Sequence, residues 1–209
     1  MKFYDCLMAP SPRRVRMFMA EKGIQIESVL IDLGVGEHLK SPFIELNPKA
    51  SVPVLLLDNG TILNESMAIS VYLDSIFPDK NLTGIDPIER AVIAIAQHDM
   101  DFNGFQAIAE CLRNSARGFI GRALVGPIGY NQIPDLAERG RSRIKLFFKD
   151  LNERLAKSEY VAGDRFTVAD ITAYVSLEFA RIVKEKPSED AQHLQRWRNA
   201  VALRNCSKV

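Results

Sequence analysis

A chain of 209 residues whose 27 basic and 26 acidic side chains leave a net charge of +1 lacks the basic excess or stripe of a nucleic-acid-binding domain. Its longest apolar run, VPVLLL, falls far short of the roughly 20 residues that cross a bilayer, and Asp5 and Arg13 interrupt any signal-like segment at the start. Cys6, Cys111 and Cys206 are odd in number and widely spaced, so no disulfide framework is expected and the cytosol is the expected compartment.

Residues 1–79 mix strand and helix signals. KFYDCLM reads as a strand, and SPRRVRMFMAEKG as a short helix that ends at Gly23, with Ser11 as its N-cap and Pro12 at its first position. IQIESVLIDL alternates apolar and polar residues through Ile24, Ile26 and Val29, the period of a second strand. A polar stretch containing SPFIELNP follows. VPVLLLDNGTILN then predicts two strands joined at Asn59-Gly60, the strongest two-residue hairpin signal. ESMAISVYLDSIF predicts a helix with Ala68, Ile69, Tyr72, Leu73 and Ile76 on one face. The order β-α-β-(α)-β-β-α predicts a small α/β domain with helices packed on a mixed sheet.

Strand signals stop after PDKNLTGID. Asp86 is placed to cap a long helix, with Pro87 at its first position, Glu89 completing a capping box, and apolar residues running through Val92, Ile95 and Ala96 toward Ile108. The Gly/Pro-rich GRALVGPIGYNQIP separates it from a helix expected over 135–156. In GDRFTVADIT, Thr167 is the expected N-cap and Asp170 its capping-box partner, with Phe166 and Ile171 as a hydrophobic staple. Residues 86–209 therefore form an all-helical second domain. No metal site is expected, since His38, His98 and His193 are far apart and no His-x-x-x-His or Cys-x-x-Cys pattern occurs.

This layout, with NPKASVPVL, NESMAISVYL and YVAGDRFTVADIT, resembles the cytosolic glutathione transferases, whose N-terminal domain is thioredoxin-like. APSPRRVR and RNSARGFIGRAL bring it near the fungal-type subgroup and its bacterial relatives, which lack an N-terminal catalytic Ser, Tyr or Cys. The resemblance implies glutathione as co-substrate, a small apolar electrophile as second substrate, no metal, and a homodimer. It also implies a cis Val52–Pro53 bond that turns the Val52 N–H and C=O toward the thiol peptide. Glu65 would accept from the γ-glutamyl ammonium, while Ser66 and the helix start beside it bind the carboxylate. Lys49 and His38 are nominees for the glycine carboxylate, although an isolated lysine or histidine is commonly a surface group.

The catalytic serine column of insect-type relatives falls on Ala9. That leaves Ser11, two residues on, as a candidate activator whose commoner role is a cap. The resemblance instead implies a thiolate held at the helix N-terminus with a water positioned from the long helix, for which Asn114 and Ser115 are the nominees. Arg13, Arg14 and Arg16 would add to the positive field, or else be paired or solvated. Tyr130 would border the second pocket, and Asp99 or Asp101 would sit on a solvated helix face or reach a neighbouring subunit's γ-glutamyl ammonium. Two alternatives stay open: a thiol-disulfide oxidoreductase acting through Cys6, which otherwise reads as a buried strand residue, and a non-catalytic binding module of the same fold.

Overall fold

The computed structural model describes residues 1–209. Strands β1 (Lys2–Asp5), β2 (Glu27–Leu30), β3 (Val54–Leu56) and β4 (Ile62–Asn64) form one sheet in the order β2-β1-β3-β4. β1 runs parallel to β2, with Phe3 beside Ser28, and antiparallel to β3, with Phe3 opposite Leu55. A parallel pair needs a crossover, and α1 (Pro10–Lys22) supplies it. The β3–β4 hairpin turns at Asn59-Gly60, where Gly60 takes φ 84° and Asn59 Oδ1 accepts from the Thr61 amide. β2 is shorter than its apolar alternation suggests, because Ile24 and Ile26 meet the core from the approach to the strand rather than from the ladder.

The start of α1 differs from the sequence expectation. Ala9, not Ser11, is the N-cap, Pro10 takes the first helical position, and Ser11 lies inside the first turn. Two prolines two residues apart can each open a helix, and the chain uses the earlier one. Cys6 lies one residue past β1 and is half-buried, so it is not the buried strand residue expected. A single turn, α2 (Phe43–Leu46), precedes β3, and α3 (Ser66–Ile76) closes the α/β half on its Ile69 and Leu73 face, leaving Ile76 exposed.

The second half is helical: α4 (Pro87–Asp99), α5 (Gln106–Ser115), α6 (Pro134–Leu155), α7 (Val168–Ala180) and α8 (Gln192–Ala202). A π-helical turn, Met100–Phe105, joins α4 to α5 in one long rod. Asp86 caps α4, accepting from the Ile88 and Glu89 amides at 2.8 and 2.9 Å. The expected capping box is not formed, because Glu89 turns instead to the Ile85 amide and to Arg165. Ile93 and Ala96 face the core, whereas Val92 and Ile95 are exposed. Gly140 lets α6 approach α5 closely, since a Cβ there would stand 2.7 Å from the Cys111 nitrogen. No helix is long and apolar enough to cross a membrane.

One apolar core runs through both halves, from Phe3, Phe18 and Leu55 to Ile108, Phe147 and Trp197. Where the halves join, the buried Asp74 carboxylate pairs with Lys22 and accepts from the Leu82 and Thr83 amides and the Thr83 hydroxyl. A charge pair this deep is tolerated because its remaining hydrogen-bonding capacity is filled.

Asp170 anchors the helical half. Thr167 and Asp170 form the expected capping box at α7, and the fully buried carboxylate also accepts from Val161 N at 2.9 Å and Trp197 Nε1 at 2.8 Å. Asp170→Ala strands these donors in the core and is expected to cost about 3–5 kcal/mol, read as a lowered urea midpoint. Burial outweighs the donors and raises the Asp170 pKa to about 6. The native state therefore holds this proton more tightly than the unfolded chain, so stability linked to Asp170 declines as pH rises from about 4 to 6. That slope is expected to be missing in Asp170→Asn.

Candidate active site

A cleft of about 1010 Å³ opens between the two halves. One wall belongs to the α/β half, where Ser11, Lys49, Ser51, Val52, Pro53, Glu65 and Ser66 line it. The other comes from the long rod, where Phe102, Gln106, Ala109 and Arg113 recur at helical spacing on one face. Ala123 to Pro127 form the rim.

The Val52–Pro53 bond is cis, and no loop hydrogen bond uses the Val52 amide or carbonyl. Both are therefore open to an extended ligand backbone. Glu65 sits at φ 74° and ψ 124°, backbone territory that L residues rarely occupy, and it is the N-cap of α3. That conformation exposes its carboxylate at the cleft edge while the first amides of α3 stay unpaired. Ser66 is buried, and its hydroxyl donates to the Ser11 carbonyl at 2.9 Å. It therefore differs from the sequence expectation of a hydroxyl aimed at a ligand carboxylate, and the α3 N–H groups remain as the anion donors there. Lys49 lines the cleft and donates to Asn64 Oδ1 at 3.3 Å.

At the start of α1, Pro10 and Pro12 have no N–H, and the Arg13 amide donates to the Ala9 carbonyl at 3.4 Å. Ser11 consequently supplies the one uncommitted backbone donor of the first turn. Its Oγ accepts from Arg14 Nη2 at 3.4 Å, and its own hydroxyl proton has no acceptor in the protein. Arg14 is buried, bonded to Asp101, and stacked 4.1 Å from the Phe105 ring centroid. Desolvation holds its pKa below the usual arginine value, opposed by Asp101 and by the charge of Glu65. Arg16 pairs with Asp5 and binds the Cys6 and Leu7 carbonyls, and Arg13 binds the carbonyls of Ser207 and Val209. All three arginines are engaged, so their first task is to fix the β1–α1 loop and the domain contact.

The remaining nominees separate. Asn114 lines the cleft, but its carboxamide is committed, donating to the Glu110 carbonyl and accepting from the Ile133 amide. Ser115 donates to the Cys111 carbonyl and lies outside the lining, as do His38, Cys6 and Tyr130. Burial and the charges of Arg122 and Arg113 hold the His38 pKa below the ordinary histidine value. Asp99 and Asp101 are bound by Arg154 and Arg14 of the same chain, rather than lying on a solvated face. Arg14 and the π-helical turn that meets it were not legible as site features, because nothing in the spacing pairs residue 14 with residue 101.

The family described as glutathione S-transferase, N-terminal domain, matches residues 9–76, and the corresponding C-terminal domain matches residues 116–205. Glutathione S-transferase 2 of Saccharomyces cerevisiae is 34% identical over 204 residues, covering 94% of this chain and 83% of that protein. The chain belongs to the glutathione S-transferase family. The crystal structure of a glutathione S-transferase domain-containing protein from Marinobacter aquaeolei superposes with a TM-score of 0.91 at 40% identity, covering 99% of both chains. Gtt2 from Saccharomyces cerevisiae gives 0.90 at 32% identity, covering 100% of this chain and 99% of that one. Nothing in these relationships favours a disulfide oxidoreductase or a binding module without catalysis.

The Glu65 backbone conformation carries a cost of order 1–3 kcal/mol for a side-chain-bearing residue. Glu65→Gly is expected to raise the urea midpoint by the equivalent of about 1 kcal/mol, because glycine occupies this region without steric penalty. A midpoint that falls would show the conformation to be unstrained.

Proposed function

We propose that this transferase binds glutathione along the α/β wall of the cleft and conjugates its thiolate to a small electrophile held against the rod. The observation that carries the proposal is the convergence of free main-chain groups at Val52, the α3 N-terminus and Ser11 on one cleft with Glu65 and Lys49. Val52 offers both a donor and an acceptor for the cysteinyl backbone. Glu65 faces the γ-glutamyl ammonium, the α3 amides take its carboxylate, and Lys49 takes the glycine carboxylate. His38, set back from the lining, contributes only through that end of the site.

Lowering the thiol pKa requires donors at the sulfur. Ser11 provides two, its amide and its unshared hydroxyl proton, at the positive end of α1. This favours Ser11 over Asn114 and Ser115, whose polar atoms are spent on backbone partners; Asn114 then acts by holding the Ile133 segment. The thiol loses its proton to solvent, the thiolate attacks the electrophilic carbon, and the electrophile keeps the electron pair or expels it with a leaving group. Three free cysteines and a dependence on reduced glutathione fit the cytosol.

Ser11→Ala removes the hydroxyl and keeps the amide. Turnover with 1-chloro-2,4-dinitrobenzene is expected to fall about 10²-fold while calorimetric glutathione affinity changes little. Thiolate absorbance against pH should place the bound thiol nearer its free value of about 8.5 in the variant than in the wild type. Unchanged turnover would return the activating role to the long helix.

We infer a homodimer through the rod. Ile88, Val92, Ile95 and Phe102 are exposed along it, with Ile62 and Val71 exposed on the α/β half. Exposed apolar side chains recurring at helical spacing, as Ile88, Val92 and Ile95 do, suit a helix face that a second copy covers. Val92→Asp with Ile95→Asp is expected to convert a dimer to a monomer by light scattering at micromolar concentration. A wild-type protein that is already monomeric there removes the inference.

A further inference from the structure

Five basic and two acidic side chains line the cleft. Arg14 is bound by Asp101, and Arg139 and Arg143 share Glu110, the first through two bonds of 2.7 and 3.0 Å. Lys49 donates to Asn64 Oδ1, and the charge of Glu65 acts on Arg14. Arg113 is different. Its Nε, like that of Arg14, is buried without a hydrogen-bond partner, but Arg14 has Asp101 and no carboxylate pairs with Arg113. Its guanidinium carbon lies 4.7 Å from the Phe119 ring centroid, which fixes the plane of the fork while leaving its edge without an acceptor. The charge that acts on it is that of Arg122, a second guanidinium.

A half-buried guanidinium beside a second guanidinium, with no anion, is held at a cost that a bound anion offsets. Desolvation and Arg122 together lower the Arg113 pKa, and no carboxylate of the protein opposes them. Arg113 closes the stripe Phe102, Gln106, Ala109 and so stands on the wall across from the main-chain groups that face glutathione. Ala109, Ala123, Leu124 and Val125 add apolar surface to the lining of the same cleft, which suits a planar organic body carrying one charged end.

We propose that Arg113 determines specificity by binding a carboxylate on the second substrate, so that the enzyme takes acidic electrophiles in preference to neutral ones of the same reactivity. The planar fork suits bidentate capture of a carboxylate, which a lysine does not reproduce. The inference rests on the conjugation reading above. It replaces the wholly apolar second substrate expected from the sequence with one that is apolar along its body and anionic at one end.

A matched pair tests it: 4-chloro-3,5-dinitrobenzoate and its methyl ester. In both, the thiolate sulfur bonds to the ring carbon that bears chlorine, and chloride leaves with the carbon–chlorine bonding pair. With rates corrected for the uncatalysed reaction, the wild type should prefer the acid in kcat/KM. Arg113→Gln should lower the acid-to-ester ratio about tenfold or more, and Arg113→Lys should restore part of it. Calorimetric glutathione affinity of Arg113→Gln should match the wild type. A ratio that stays the same in Arg113→Gln overturns the proposal. Equal losses for acid and ester together with weaker glutathione binding also overturn it, and assign Arg113 to the glycine carboxylate of glutathione instead. If the wild type neither binds glutathione nor turns over the ester, the conjugation reading itself fails and this inference falls with it.

Discussion

Arg14 joins two surfaces that have no other reason to meet at that point: the first turn of α1 and the π-helical turn in the long rod. Its guanidinium bonds to Asp101, stacks on Phe105 and touches the Ser11 hydroxyl, all while buried. A cation in that position is stable only as long as its partner is present, so the pair fixes where the rod stands relative to α1. The π-helical turn makes the pairing possible. One additional residue per turn re-aims the helix, so that Asp101 and Phe105 address α1 while Phe102, Gln106 and Ala109 address the cleft. Gly104 is required at the same turn, because a Cβ there would stand 2.6 Å from the Phe147 ring of α6. The width of the cleft is thus set by a chain of contacts running from α6 through the rod to α1.

From that placement the chemistry of the floor follows. The N-termini of α1 and α3 converge, and the Ser66 hydroxyl bridges them by donating to the Ser11 carbonyl. Two positive helix ends side by side favour an anion carried between them. The prolines at 10 and 12 trade donor number for geometry. They pre-set the backbone for a helix start, but they leave Ser11 as the one free amide of that turn. A single amide and a single hydroxyl must then do what several amides do at an ordinary helix N-terminus.

The elements that local chemistry dictates were legible in the sequence: the Asn59-Gly60 hairpin, the Asp86 cap and the Thr167–Asp170 box each depend on residues within a few positions. The compact motifs Val52-Pro53 and Glu65-Ser66 stand out in the same way, and the fold brings them together on one wall of the cleft. What was hidden depends on long-range partners. Val92 and Ile95 satisfy a helical period as well as Ile93 and Ala96 do, and periodicity cannot say which of two apolar faces meets the core. Ser11 looked like a cap because either of two prolines can begin a helix. Glu89 had the spacing for a capping box, yet Arg165, 76 residues away, drew its carboxylate elsewhere.

The same long-range charges shape the reaction cycle. Ionising the thiol adds a negative charge to a ligand that already carries two carboxylates, in a cleft whose lining holds three more cations than anions, counting Arg14, Lys49, Arg113, Arg139 and Arg143 against Glu65 and Glu110. Forming the carbon–sulfur bond removes that charge, because a thioether is neutral. Donors placed for the thiolate raise the fraction of bound thiol that is ionised and hold it more strongly than the thioether, so they ready the nucleophile and loosen the conjugate. Arg113 lies outside this exchange: a carboxylate on the electrophile is charged before and after reaction, so its contact adds binding equally at every stage. The two walls thus divide the work, with the α1 start spending its interactions on the step and the rod spending its own on choice of substrate.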